Sequence, residues 1–397
     1  MQLNENQERI VNEALNNIKY GYHQVFEFSG EAGTGKSVVL YEIARRSGFA
    51  MDEILPMAYT GQASIIMRTK GFPNATTIHS GLFQVEEVLD TSSTNFNTYF
   101  NVPEMKLRFV PKKDLGRIKA IFIDEGYMTP LSMKSTIESY GLPIIVGGDS
   151  GQLGPVKDKP AFLTDPNVPT LTQLMRQSEH DPIVYLARRA RRGLPINTGL
   201  YGNKVLVIEE RDVTDNMLQH ANMILCGKNK TREALNDHIR HDIYNIKSTL
   251  PVFGERVICR KNNHFNIING INLANGLMGN VVSIPDVTKF DGKTFTIDFL
   301  PDLLDVPFKN LICDYEYYST KIEDRKYNKY ARGEQFEFAY AITTHLSQGA
   351  EAQNGIYFEE YMPQDMQNRL NYVGITRFKN FLIYVKPNRK MQFFFNN

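Results

Sequence analysis

The chain has 397 residues, of which 42% are hydrophobic and 22% charged, with a net charge of +1. That length allows two or three domains with ordinary cores, and the balanced charge excludes a uniformly basic nucleic-acid binder while leaving room for a local basic groove. Three widely spaced cysteines, Cys226, Cys259 and Cys313, make no metal-ligand pattern and suggest a reducing compartment; no apolar run approaches the ~18 residues of a membrane span, and the N-terminus lacks a signal-peptide layout.

Residues 5–18 place Ile10, Val11, Ala14, Leu15 and Ile18 at helical spacing, which predicts an amphipathic helix. Gln7 near its start is either half of a capping pair with Asn4 or an amide that reads an adenine edge, and the local physics favours the cap. An apolar run, Val25-Phe26-Glu27-Phe28, then enters Gly30-Glu31-Ala32-Gly33-Thr34-Gly35-Lys36-Ser37, and a helical pattern follows. Strand, glycine loop and helix are the context of a phosphate-binding loop. The glycines let the backbone close on phosphate oxygens, and the helix N-terminus adds a partial positive charge. In that reading Lys36 reaches the β/γ-phosphates and the Ser37 hydroxyl ligates Mg²⁺; the bland alternative is a glycine turn before a helix.

A strand over 54–59 leads to Thr60-Gly61-Gln62-Ala63-Ser64, and Ala75-Thr76-Thr77-Ile78-His79-Ser80 follows. Thr60 and Thr77 are either plain helix caps or contacts to the phosphates of a nucleic-acid strand. Residues 81–115 break the α/β rhythm and suggest a small β insertion. Its aromatics Phe96, Tyr99 and Phe100 either fill a small core or stack on bases.

The buried-strand run Ala120-Ile121-Phe122-Ile123 ends in Asp124-Glu125. The aspartate can hold Mg²⁺, and the glutamate can orient and deprotonate an attacking water; the bland alternative is a solvated strand end. Pro143-Ile144-Ile145-Val146 is a further strand of the parallel sheet, and Gln152 beyond its C-terminal end is either a sensor of a γ-phosphate or part of a plain glycine-rich turn. Arg176 is a candidate for stabilising charge on a transferred phosphoryl group.

The second half opens with a helix over 183–194 carrying Arg188, Arg189, Arg191 and Arg192, either a solvated face or a phosphate-backbone contact. Strands over 204–208 and 221–226 precede a helix that opens at Gly227-Lys228-Asn229-Lys230-Thr231-Arg232. Residues 252–335 lose the alternation. Short strands over 254–260, 279–284 and 294–300, with turns at Asn275-Gly276 and Asp291-Gly292, suit a small β-barrel insertion. A buried α/β pattern resumes at 336–344, and 370–384 end the domain.

In this order the motifs resemble those of superfamily 1 helicases, the 5′-to-3′ branch typified by RecD-like and phage Dda helicases, over nearly the whole chain. Residues 30–37 match the first motif and Gln7 the upstream glutamine motif. Thr60-Gly61-Gln62-Ala63 and Thr77-Ile78-His79-Ser80 resemble the two single-strand-contacting motifs, and Asp124-Glu125 the second ATPase motif. Gly148-Asp149-Ser150-Gly151-Gln152-Leu153 resembles the coupling motif, and Arg176 the arginine of the next. Asn229, Arg232, Leu235, Asn236 and Arg240 resemble a strand–helix element. Thr344-His345-Leu346-Ser347-Gln348-Gly349-Ala350-Glu351 is similar to the motif written H-K-S-Q-G, and Tyr372-Val373-Gly374-Ile375-Thr376-Arg377 to the last motif. Departures are Leu346 where lysine is usual, Gly154 for proline and Gly126 for alanine; none removes a catalytic group.

The resemblance implies an α/β fold of two RecA-like P-loop domains with parallel sheets and small β insertions, one an SH3-like barrel. The implied boundaries are 1–177 for the first domain, with 81–115 as its pin; 178–251 with 336–397 for the second; and 252–335 for the barrel. It implies ATP and Mg²⁺ as cofactors. Gln7, Gly30, Gly33, Thr34, Gly35, Lys36, Ser37 and Glu351 would hold nucleotide, and Ser37 and Asp124 the metal. Lys36, Asp124, Glu125, Gln152, Arg176 and Arg377 would be catalytic. Thr60, Thr77, His79, Asn229, Arg232, His345, Ser347 and Gln348 would contact DNA. The implied partners are single-stranded DNA and duplex–single-strand junctions, with replication or recombination proteins beyond them; the chain is expected to be a soluble, cytoplasmic monomer. The rival expectation is a single-strand-stimulated ATPase, or an ATP-gated nucleic-acid binder, without strand separation.

Overall fold

The computed structural model describes residues 3–89, 105–174, 181–285, 292–321 and 333–387. The first helix, Glu5–Tyr20, is held at its start by a reciprocal cap: Asn4 accepts from the Gln7 amide N–H and the Gln7 side chain accepts from Asn4 N–H. It ends where Gly21 turns left-handed.

The first half contains strands β1 (Val25–Gly30), β2 (Ile54–Ala58), β3 (Thr76–Thr77), β4 (Phe83–Leu89), β5 (Met105–Pro111), β6 (Ala120–Asp124), β7 (Ile144–Gly148) and β8 (Thr170–Leu171). Six of these make one sheet in the order β3-β2-β6-β7-β1-β8, with every pairing parallel. β6 and β7 are buried along their whole length, which is why they read as unbroken apolar runs rather than alternation. β4 and β5 leave this sheet as an antiparallel hairpin, in register from Phe83–Pro111 to Leu89–Met105. The residues 91–94, Phe96, Tyr99 and Phe100, singled out in the insertion, lie outside the described residues.

The second half adds β9 (Gly199–Tyr201), β10 (Val205–Glu209), β11 (Met223–Cys226), β12 (Arg256–Cys259), β13 (Asn263–Ile268), β14 (Ile271–Leu273), β15 (Met278–Ser283), β16 (Thr294–Pro301), β17 (Phe308–Asp314), β18 (Phe336–Phe338), β19 (Ala341–Thr343), β20 (Ala352–Phe358) and β21 (Phe378–Lys386). A second six-stranded sheet runs β19-β11-β20-β21-β10-β9; only β9, at its edge, is antiparallel. The remaining strands form a five-stranded antiparallel sheet, β17-β16-β15-β12-β18, and the hairpin β13–β14.

This insertion departs from the expected barrel. Among the described residues its sheet stays open, and its two ends approach only at one bridge, Cys313–Glu334, too few hydrogen bonds for a closing ladder. The sheet also reaches past residue 335, because β18 pairs with β12 rather than with the second parallel sheet.

Two buried ion pairs anchor the insertion to the helical segment 229–243 of the second half. Arg240 donates from Nε to Glu255 at 2.7 Å, and Arg232 meets Glu337 at 2.7 Å. On its other side the insertion touches the first half: Arg68 donates to the carbonyls of Asn269 at 2.8 Å and Gly270 at 2.6 Å, at the tip of β13–β14. No helix among the described residues is long and apolar enough to cross a membrane.

Candidate nucleotide and nucleic-acid site

Parallel α/β sheets place their ligands beyond the carboxyl ends of the strands. Here the loop after β1, the turn after β6 and the turn after β7 meet at such an edge. Helix Lys36–Arg46 starts directly from the glycine loop, with Gly33 at φ 83° and Gly35 at φ 87°. Those left-handed conformations are what glycine supplies at little steric cost. Gly30 is needed for space, since a Cβ there would stand 2.5 Å from Thr34 Oγ1.

A cavity of about 640 Å³ opens between the halves. From the first half it is lined by Gly33, Gly35, Lys36, Ser37, Asp124, Glu125 and Gln152; from the second by Gly349, Glu351, Tyr372, Thr376 and Arg377. Lys36 donates to the Gly30 and Glu31 carbonyls at 3.0 and 3.3 Å. Ser37 Oγ donates to Asp124 Oδ2 at 3.1 Å and accepts from Lys70 Nζ at 3.0 Å. Hard oxygen donors of this kind suit Mg²⁺ completed by phosphate oxygens and water; the chain's own contribution is these two groups.

Glu125 follows Asp124 with φ 53°, a left-handed conformation that costs a non-glycine residue of order 1–3 kcal/mol. From that kink Glu125 lines the cavity. Burial pushes its pKa up, opposed by Lys36, and Arg377 draws it down as well. Gln152 is 2% exposed, and its Oε1 has no hydrogen-bond partner. A buried acceptor facing a cavity without a partner is costly unless a ligand or water supplies the donor.

Arg377, 5% exposed, is held by the carbonyls of Val373 (3.2 Å) and Ala350 (3.3 Å). Glu351 pairs with Lys379 at 2.6 Å at the cavity wall. Arg176 lies outside the described residues.

Other anticipated residues sit differently. Gln7 has both amide ends engaged, Oε1 on Asn4 N–H and Nε2 on the Thr34 carbonyl at 3.1 Å, so it braces the glycine loop from behind and does not line the cavity. Thr60 and Thr77 cap their helices, accepting from Ala63 N–H and Ser80 N–H at 3.2 Å each. His79 packs among aromatic rings: Tyr59 at 6.4 Å, Phe83 at 5.9 Å and Phe109 at 6.5 Å between centroids. Asn229 is exposed at the start of helix Asn229–Asp237.

Three expected strand contacts turn inward instead. The Arg232 side chain is 3% exposed and spent on Glu337. Ser347 is fully buried and donates to Thr344 O. Gln348, 2% exposed, donates to the Leu153 carbonyl at 3.0 Å and so ties the second half to the turn after β7. All three side chains are buried, and in this arrangement they shape the cleft rather than its surface. His345 is half-buried, and burial lowers its pKa toward the neutral imidazole.

Lys70, beside Ser37, was not anticipated, and Arg188, read as a solvated face or a phosphate-backbone contact, instead has its guanidinium 3.4 Å from Glu31 at the cavity rim. Arg188 stands on the basic helix noted above. Lys70 carried no local signal, since only the chain's return past the glycine loop brings it there. Arg369, eight positions before Arg377 by number, donates to the carbonyls of Ser150 and Gln152, both at 2.8 Å.

The model of the AAA domain family matches residues 2–211. No curated protein matches the sequence. Among solved structures, that of two coordinating Pif1 helicases unwinding forked double-stranded DNA aligns with a TM-score of 0.59 at 17% identity, over 97% of this chain and 92% of that one. The Candida albicans Pif1 helicase aligns at 0.55 and 15%, covering 98% and 95%. Bacteroides Pif1 bound to single-stranded DNA aligns at 0.55 and 18%, covering 97% and 92%. At these identities the likeness is one of fold.

Proposed function

From the premise that the chain belongs to the AAA domain family, we propose that it is an ATP-dependent DNA helicase that moves along single-stranded DNA, 5′ to 3′, and separates duplex DNA. One observation carries the reading. A single cavity gathers Lys36, Ser37, Asp124, Glu125 and Gln152 from one half, and Glu351 and Arg377 from the other. A nucleotide between them would be completed only when both halves close on it.

In this mechanism the glycine loop and Lys36 hold the β/γ-phosphates. Ser37 and Asp124 would hold Mg²⁺, which neutralises phosphate charge when bound. Glu125, raised by burial yet held ionisable by Lys36 and Arg377, takes the proton of the attacking water. Gln152 Oε1 is the free acceptor that can orient that water. Arg377, with Arg176 as a second arginine, stabilises charge on the γ-phosphoryl group. ATP therefore favours a closed cleft and its products an open one. Strand contacts on Thr60, Thr77, His79, Asn229 and His345, gripped in alternation, convert that cycle into stepping.

The two six-stranded sheets, parallel but for the edge strand β9, support two RecA-like motor units, one within 1–177 and one made of 178–251 with the chain after β18, the open antiparallel sheet being the insertion between them. Single-stranded DNA and duplex–single-strand junctions are the partners, and the chain works as a monomer. The test is strand separation of matched 5′-tailed and 3′-tailed duplexes with ATP. Unwinding of the 5′-tailed duplex is expected. Hydrolysis stimulated by single strands with no separation of either duplex would replace the helicase by a strand-stimulated ATPase.

A further inference from the structure

Helix Gln364–Thr376 reaches the first half through Arg369 and Tyr372. The ring is buried, 2% exposed. Its hydroxyl donates to Asp149 Oδ2 at 2.6 Å and accepts from the Ala32 N–H at 3.0 Å. Both hydrogen-bonding capacities of one phenol are thus used across the cleft, on residues more than two hundred positions away. Ala32 belongs to the glycine loop and lines the nucleotide cavity.

Asp149 is 1% exposed, and its other oxygen accepts from Arg191 at 2.9 Å and from Gly151 N–H at 2.9 Å. The Arg191 guanidinium lies 5.1 Å from the centroid of the Tyr372 ring. The Asp149 carbonyl in turn accepts from Gln152 N–H at 3.1 Å. One chain of contacts therefore runs from the glycine loop through the Tyr372 hydroxyl and Asp149 to Gln152, the residue with the unpartnered acceptor in the cavity. Burial pushes the phenol's ionisation well above its ordinary value, so it stays a donor through the working pH range.

We propose that Tyr372 is a positioning residue for hydrolysis: its hydroxyl registers the 149–152 turn against the glycine loop when the halves meet, and so aims Gln152. The proposal rests on the ATPase reading above. A residue needed only for packing would act through its ring, whereas here the hydroxyl is the working group. Tyr372→Phe keeps the ring and leaves Asp149 Oδ2 and Ala32 N–H without their partner.

The experiment uses the full chain with single-stranded DNA and Mg·ATP, first unaltered and then as Tyr372→Phe. Single-turnover hydrolysis by the variant is expected to slow about tenfold or more, the scale of a lost hydrogen bond to a charged group. Affinity for a fluorescent ADP analogue is expected to stay within about twofold, because the hydroxyl acts on geometry rather than on uniform binding. Asp149→Asn is expected to show the same split, and adding Tyr372→Phe to it should cost little more. An unchanged rate in Tyr372→Phe, a loss of ADP affinity as large as the loss of rate, or additive losses in the double variant would each overturn the proposal while leaving the ATPase reading intact. No hydrolysis by the unaltered chain overturns that reading and this inference together.

Discussion

Glu255→Gln should destabilise the second half severely. The Glu255 and Arg240 side chains are each 2% exposed. Arg240 reaches the carboxylate from Nε at 2.7 Å and from Nη2 at 3.3 Å, and also donates to the carbonyls of Ser248 and of Leu250, the latter at 2.8 Å. Glu255 further accepts from Tyr340 OH at 2.8 Å and Val252 N–H at 2.6 Å. Each carboxylate oxygen is thus claimed by donors. A glutamine must turn its NH₂ toward one set of them and leaves the guanidinium uncompensated. Removing one partner of a buried pair costs about 3–5 kcal/mol. For a unit of this size each kcal/mol moves Tm by about 2–4 °C, so the shift should be about 6–20 °C downward. The chain has no tryptophan, so circular dichroism with thermal unfolding is the suitable readout. Arg240→Met combined with Glu255→Gln should lose less than the two single changes summed, because the stranded charge is gone. A Tm for Glu255→Gln within about 1 °C of the unaltered chain would refute the reasoning.

Lys36→Ala should abolish ATP hydrolysis while leaving single-strand binding largely intact; phosphate release and fluorescence anisotropy on labelled oligonucleotide check the two halves of that statement, and full turnover would sink the mechanism. The rate should fall on acidification over a range above that of an ordinary glutamate, because Glu125 must be ionised to act and burial raises its pKa; a pH–rate profile whose acidic limb sits at or below the usual carboxylate range contradicts that role. Gln7→Ala removes the brace on the Thr34 carbonyl and the side-chain acceptor for Asn4 N–H, half of the helix cap, so stability should drop by roughly 1–3 kcal/mol. The ratio of ATP to GTP turnover should not move, and a large change in it would restore Gln7 as the reader of the base.

The parts of the site legible in the sequence are those made by neighbours in the chain. A glycine loop between a strand and a helix, and paired carboxylates at the end of an apolar strand, are local patterns that imply their own geometry. Thr60 and Thr77 likewise do what their local spacing allowed, each capping a helix. What was not legible depends on contacts across the fold. A run of lysine, asparagine and arginine after a strand looks like a surface that binds anions, yet Arg232 is spent on Glu337, a partner more than a hundred positions on. Gln348 bonds the Leu153 carbonyl for the same kind of reason. Phe336–Phe338 belongs to the antiparallel sheet because it pairs with β12, and a short apolar strand carries no mark of which sheet will take it.

The attachment of the insertion to the first half has a further consequence. Arg68 grips the tip of β13–β14 through the carbonyls of Asn269 and Gly270, both in left-handed conformation, φ 51° and φ 70°. Carbonyl acceptors are common to all residues, so the grip does not depend on what side chains the tip displays. The turn geometry does constrain them, toward the Asn-Gly pair found there. The exposed Phe265 and Ile267 on the neighbouring strand are under neither constraint. Substitutions at Phe265 and Ile267 should therefore leave the hairpin's mooring to the first half unaltered.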